Sequence, residues 1–148
     1  MYSVYDIAHK IILSQTDLEK GDVITNLKLQ KLLYYVQGFH LAFFDKPLFE
    51  EELEAWMYGP VVPEVYHFHK ESGKTAIIPD MDTTVVELEP EAEDMFAQVM
   101  KEYGKFSAIK LMEMTHQEKP WIDSFHNPID KRIDRKTMKT FFAALVDE

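Results

Sequence analysis

Apolar residues recur at helical spacing along most of this chain. Val4, Ile7, Ala8, Ile11 and Ile12 share one face and predict a helix from residue 3 to about 15, with Gly21 as a stop shortly beyond. A stronger stripe of Leu29, Leu32, Leu33, Val36, Phe39, His40 and Phe43 follows two capping side chains, Thr25 and Asn26, and predicts roughly four turns. Gly38 lies inside that stripe at a propensity cost of ~1 kcal/mol relative to alanine, as either a close helix approach or a tolerated defect. Asp45-Lys46-Pro47 ends the helix, because the residue before a proline is pushed out of the α region.

Beyond the acidic stretch Glu50-Glu51-Glu52-Leu53-Glu54 the periodicity stops. Gly59-Pro60 reads as a turn, Val62 as extended, and Pro63 as the first turn of a third helix carrying Val65, Tyr66, Phe68 and His69 and ending at Gly73. Between Lys74 and Glu89 the β-branched content rises on both sides of Pro79-Asp80-Met81-Asp82, so a small β-hairpin is expected around residues 74–89. Pro90, followed by Glu91, Glu93 and Asp94, opens a helix whose acids suit the positive end of its dipole. Ala92, Phe96, Val99, Met100 and Tyr103 form its apolar face, and Gly104 caps it. Ser107 N-caps the next helix, with Phe106 and Leu111 as a hydrophobic staple, and this helix reaches about Thr115. Pro120 to Phe125 is a short helix or turn. A last helix from about Asp134 to Val146 buries Met138, Phe141, Phe142 and Leu145. With no repeat, linker or low-complexity segment, residues 1–148 read as one mainly α domain, a compact bundle of six to seven helices.

Composition narrows the chemistry. A chain of 148 residues that is 46% apolar should bury about 70% of the surface its unfolded form exposes. The absence of cysteine removes disulfides, thiolate metal sites and a cysteine nucleophile. Met1-Tyr2-Ser3-Val4 carries no basic or apolar leader pattern, and no apolar run approaches the roughly 18 residues of a membrane span, so a cytoplasmic protein is expected. The net charge of −10 counts against a broad grip on nucleic acid. That charge is patterned. Residues 45–54 contribute −4 and residues 81–118 contribute −6, which leaves the rest balanced. The acidic flank of the Trp56 loop is therefore where a basic partner is expected.

The histidines are the first candidates for a site. His67 and His69 form a His-x-His pair, but two positions apart on a helix they diverge by about 200°, so a shared metal needs an extended segment. His116 stands near a helix end, where packing against an aromatic ring or the last carbonyls is the commoner role. These three with nearby carboxylates define one alternative, a metal-dependent hydrolase. The basic run from Lys131 to Lys139 defines another, a small nucleic-acid-binding module. No aromatic residue interleaves with that run to stack on bases, and a solvated face explains it better. Neither a Gly-x-Ser-x-Gly elbow nor a glycine-rich phosphate loop occurs.

Five segments together carry a resemblance. They are Leu29-Gln30-Lys31-Leu32-Leu33-Tyr34-Tyr35, Pro47-Leu48-Phe49, Glu54 through Tyr66 with its Trp56-Met57-Tyr58-Gly59-Pro60-Val61-Val62-Pro63 centre, and Tyr103-Gly104-Lys105-Phe106-Ser107-Ala108 followed by Thr115 through Trp121. In this order they closely resemble the Panacea antitoxin domain, also called SocA-like or GepA-like phage-associated, across residues 3 to about 145. The resemblance implies a mainly helical, non-enzymatic antitoxin of bacterial or prophage origin, with no cofactor or metal. Its partner would be a cognate toxin, neutralised by direct binding or delivered to a ClpXP-type protease. Some members carry an additional DNA-binding module, which is not expected within residues 1–148.

Trp56, Tyr58 and Trp121 are large amphipathic side chains of the kind that anchors interfaces, and Gly59-Pro60 would stiffen their loop. Trp56, Tyr58, Gly59, Pro60, Val61, His116 and Trp121 are therefore the candidate partner-binding residues. The Trp56 loop and the Thr115 to Trp121 corner are expected to lie close together. An alternative role stands beside this one, in which both tryptophans are core residues that set the domain's shape.

Overall fold

The computed structural model describes residues 1–72 and 75–146. Among these, seven α-helices and one two-stranded sheet occur in the order α1 (Val4–Ser14), α2 (Asn26–Phe44), β1 (Glu54–Trp56), β2 (Gly59–Val61), α3 (Pro63–Phe68), α4 (Pro90–Tyr103), α5 (Ala108–Thr115), α6 (Lys119–Phe125) and α7 (Arg135–Val146). The fold is mainly helical, as expected. Local chemistry explains most boundaries. The side chains of Ser3, Thr25 and Ser107 accept hydrogen bonds from Tyr5, Lys28 and Lys110 amides at the starts of α1, α2 and α5. Asp134 does the same for Thr137 ahead of α7. The long helix α2 ends at Asp45, whose backbone is left-handed at φ 58°, so the chain turns before Pro47 is reached.

The centre of the fold is α2. It packs against α1, α3, α4, α5, α7 and β2, and its buried residues run without a break from Leu29 to Gly38. A helix covered on all sides cannot keep its polar residues in water, so Gln30, Lys31 and Gln37 are buried and need internal partners. Gln37 takes the Leu48 amide at 2.7 Å and donates to the Phe49 carbonyl at 2.9 Å, tying the segment after α2 back onto the helix. Gly38 is a close approach. A Cβ there would lie 2.1 Å from the Phe142 ring of α7, so only glycine lets these helices meet.

Two expectations about β structure are corrected. The hairpin is formed by residues 54–61, with Glu54 opposite Val61 and Trp56 opposite Gly59, and the turn falls on Met57 and Tyr58 rather than on Gly59-Pro60. Gly59 follows the turn at φ 109°, and Pro60 sits in a strand with no further neighbour needing its missing N–H. No strand forms between residues 75 and 89. That segment has no partner strand, and its backbone is held from outside: Ile77 N–H donates to the Ile24 carbonyl at 2.8 Å, and Lys10 donates to the Val86 carbonyl at 2.8 Å. Ile78 is exposed where a strand would need it covered. The expected helix stop at Gly73, and Lys74 at the start of the expected hairpin, lie outside the described residues.

Smaller differences follow from packing. In α3 only Val65 is buried, and Phe68 is exposed. In α7 Met138 and Phe142 are buried, whereas Phe141 and Leu145 are partly covered at the edge of the core. Among the described residues no helix is long and apolar enough to cross a membrane.

Candidate functional site

The Trp56 loop and the Thr115 to Trp121 corner do meet. Trp121 Nε1 donates to the Trp56 carbonyl at 2.8 Å, and the Trp121 ring is sandwiched between His116 at 4.2 Å and Phe125 at 4.5 Å. Trp56 packs edge-on against Tyr66 at 5.1 Å, and its own Nε1 donates to Glu54 at 3.0 Å. Trp121, Gly59, Pro60 and Val61 are buried, while Trp56 and His116 are half-buried. Of the seven candidate residues only Tyr58 stands fully out, 62% exposed beside Met57 at the hairpin tip.

The opposite side of the hairpin is read by α2. Gln30 accepts the Val62 amide at 2.9 Å and donates to Asn26 at 2.9 Å, and Asn26 donates to the Tyr66 carbonyl at 3.0 Å. One turn of helix thus satisfies two backbone groups of the 62–66 segment. Lys31, with no solvent exposure, donates to the Pro60 carbonyl at 2.9 Å. Burial lowers its pKa to about 7. A Cβ on Gly59 would lie 2.5 Å from Lys31 Cε, so the residue that permits the strand's positive φ also makes room for the lysine.

Tyr34 and Tyr35 donate to separate oxygens of Glu118, each at 2.9 Å. Burial raises the Glu118 carboxyl to about 7, against the opposing pull of the two hydroxyls. Perturbed groups of this kind often mark reactive sites. Here the Lys31 ammonium is engaged by a carbonyl, and each Glu118 oxygen by a phenol, so these groups connect α2, the hairpin and the start of α6. His116 Nε2 is buried with no hydrogen-bond partner among the described residues, in a ring stacked on Trp121. Sequence reading did not single out Gln30, Lys31 or Glu118, because polar side chains on an amphipathic pattern read as solvent-facing.

The alternative chemistries find little geometry. His67 is exposed beside the Tyr66 and Trp56 rings, and no group of three or more His, Asp or Glu side chains is placed to hold a metal among the described residues. The basic run is largely paired. Arg132 forms a fork with Asp130, Arg135 meets Glu52 at 3.5 Å, and Lys139 meets Asp45 at 2.6 Å. Those last two pairs also correct the reading of residues 45–54. Part of that acidic stretch answers the chain's own basic residues, which leaves the free excess of acid mainly on residues 81–118.

Residues 29–122 match the family described as "Antitoxin SocA-like, Panacea domain", and the chain belongs to it. The matched span takes in most of α2, the hairpin and the first part of α6 up to Ile122, the elements joined by the network above. Antitoxin SocA of Caulobacter vibrioides (strain NA1000 / CB15N) is 33% identical over 109 residues, a stretch that covers 66% of this chain. The same stretch spans only 58% of that relative's length. No solved structure matches the chain.

Proposed function

We propose that this chain is an antitoxin that neutralises a toxin by stoichiometric protein binding in the bacterial cytoplasm, without enzymatic chemistry of its own. The observation that carries the reading is the family match across residues 29–122, supported by the likeness to Antitoxin SocA. The physical chemistry agrees with it. The buried lysine, glutamate and histidine are engaged in bonds or stacks inside the fold, and the free acidic charge suits a basic partner by speeding encounter. The hairpin tip is one contact. Tyr58 and Met57 reach out, with Trp56, Gly59, Pro60, Val61, His116 and Trp121 holding them in place.

The test is genetic and then biochemical. The product of the adjacent gene should block growth when expressed alone, and co-expression of this chain should restore it. The two proteins should copurify in fixed stoichiometry, with an association rate that falls as ionic strength rises. Failure to restore growth would remove the antitoxin reading. In cells lacking a ClpXP-type protease, rescue by occupancy persists and rescue by delivery is lost. Replacing both Met57 and Tyr58 by alanine should weaken the complex while leaving the fold intact.

A further inference from the structure

Along the C-terminal half of α2 the packing leaves an open trough of about 910 Å³, bounded by α2, α4, α5 and the end of α7. Its apolar wall includes Phe39, Phe43, Phe44, Tyr103, Phe106 and Met114. The rings form a chain of contacts, with Phe39 to Phe43 at 6.5 Å, Phe39 to Tyr103 at 5.7 Å and Tyr103 to Phe106 at 6.5 Å. Phe43 is 52% exposed. A single exposed phenylalanine is ordinary, but a contiguous aromatic wall marks a surface that something covers.

The rim says what kind of partner fits. Glu91 and Asp94 are exposed on α4 at the edge of the trough, and neither forms an ion pair among the described residues. Two neighbouring acids of α4 do have partners: Glu93 pairs with Lys10 at 2.8 Å and Glu102 approaches Lys105 at 4.0 Å. The trough thus combines an apolar wall with unanswered negative charge. It runs beside a 14-residue helix, about 21 Å long at 1.5 Å per residue. A small-molecule pocket would enclose its ligand and aim polar groups inward, whereas these carboxylates stand on an open edge. A second copy is a poor match, since it brings the same −10 and the same acidic α4.

We infer that the trough between α2, α4, α5 and α7 docks a basic amphipathic helix of the partner protein. Its apolar residues, spaced i, i+3, i+4 and i+7, enter among the rings, and its flanking lysines or arginines meet Glu91 and Asp94. The identity of that partner as a toxin rests on the proposed antitoxin role, whereas the chemistry of the trough does not.

The experiment uses the full chain and labelled peptides about four helical turns long. One is a leucine–lysine sequence with helical apolar spacing, the second replaces every lysine by glutamate, and the third shuffles the first to destroy its amphipathic face. Fluorescence anisotropy should show the first binding at least about tenfold more tightly than the other two. Phe43→Ser should weaken it by about tenfold at an unchanged thermal midpoint, and Glu91→Gln with Asp94→Asn should weaken it by about tenfold with only the small fall in midpoint expected from removing two acids at the start of α4. Equal binding of the shuffled peptide, or unchanged affinity in both variants, would overturn the inference. So would a concentration-dependent dimer that Phe43→Ser dissolves, because a second copy would then be the occupant. A growth assay separates this proposal from the one it builds on. If wild type rescues growth and Phe43→Ser rescues equally well, the trough is not the docking site and the antitoxin role stands. If wild type fails to rescue but the peptide results hold, the role falls and the trough remains a binding surface.

Discussion

The two halves of α2 meet their surroundings in opposite ways. From Asn26 to Tyr35 its polar groups turn inward, and Asn26, Gln30, Lys31, Tyr34 and Tyr35 each hold the hairpin region or Glu118 through a side-chain hydrogen bond. From Phe39 to Phe44 it presents aromatic rings to an open trough. The first half has its bonding capacity met within the chain, so it specifies one arrangement of hairpin and corner. The second half has apolar surface left over, which is available for association. Rigidity and adhesion are thus adjacent on one helix, a favourable arrangement for binding because little ordering remains to be done on contact.

The sharpest way to break this contrast is at the corner. Trp121→Ala removes two ring stacks and the bond to the Trp56 carbonyl, and should cost ~3–5 kcal/mol in urea unfolding. A near-native midpoint would mean that the corner does not hold the hairpin. Next comes the junction between the halves. Gly38→Ala drives a methyl into the Phe142 ring and should cost ~1–3 kcal/mol, a penalty that Phe142→Leu in the same chain should partly relieve. Additive losses in the double variant would show that the ring is not the obstacle. Gln30→Ala strands the buried Val62 amide and should cost a comparable ~1–3 kcal/mol, with faster hydrogen exchange at that amide as its local signature.

The locked half should also leave a mark on pH dependence. Glu118 releases its proton near 4.5 when unfolded and near 7 when folded, so between these values the folded state carries more protons and stability falls as pH rises. Lys31 behaves in the opposite sense. Between about 7 and 10.5 the unfolded state carries more protons, so stability rises with pH. Unfolding across these ranges should show Glu118→Gln flattening the lower slope and Lys31→Met the upper one; an unchanged profile in either variant would remove that group from the account. The smallest expected effect belongs to the open half. Phe43→Ser should stay within about 0.5 kcal/mol of wild type, and a larger loss would place Phe43 in the core rather than on a binding surface.

Much of the fold was legible because it rests on short-range chemistry. Ser3, Thr25, Ser107 and Asp134 act within three residues of themselves, and their helices begin where the pattern places them. The meeting of the Trp56 loop with the Trp121 corner was also anticipated. The hairpin was placed wrongly, since β-branched residues after Thr75 signal a preference but a strand also needs a partner and a covered face. Residues 54–61 obtained both from each other and from the Lys131 to Ile133 backbone, which exchanges hydrogen bonds with Leu53 and Ala55.

The amino-acid pattern alone determined the class of fold, the helix boundaries and an excess of acid concentrated in two segments, because propensity, capping and composition operate locally or by simple counting. Tertiary structure decided the rest. It buried Gln30, Lys31 and Gln37, it paired Asp45 and Glu52 with basic residues more than eighty positions away, and among the described residues it gave Glu91 and Asp94 no ion-pair partner beside an aromatic trough. Whether a polar side chain is solvated, bonded or left free depends on what the rest of the chain brings within about 3 Å of it, and no local pattern carries that information.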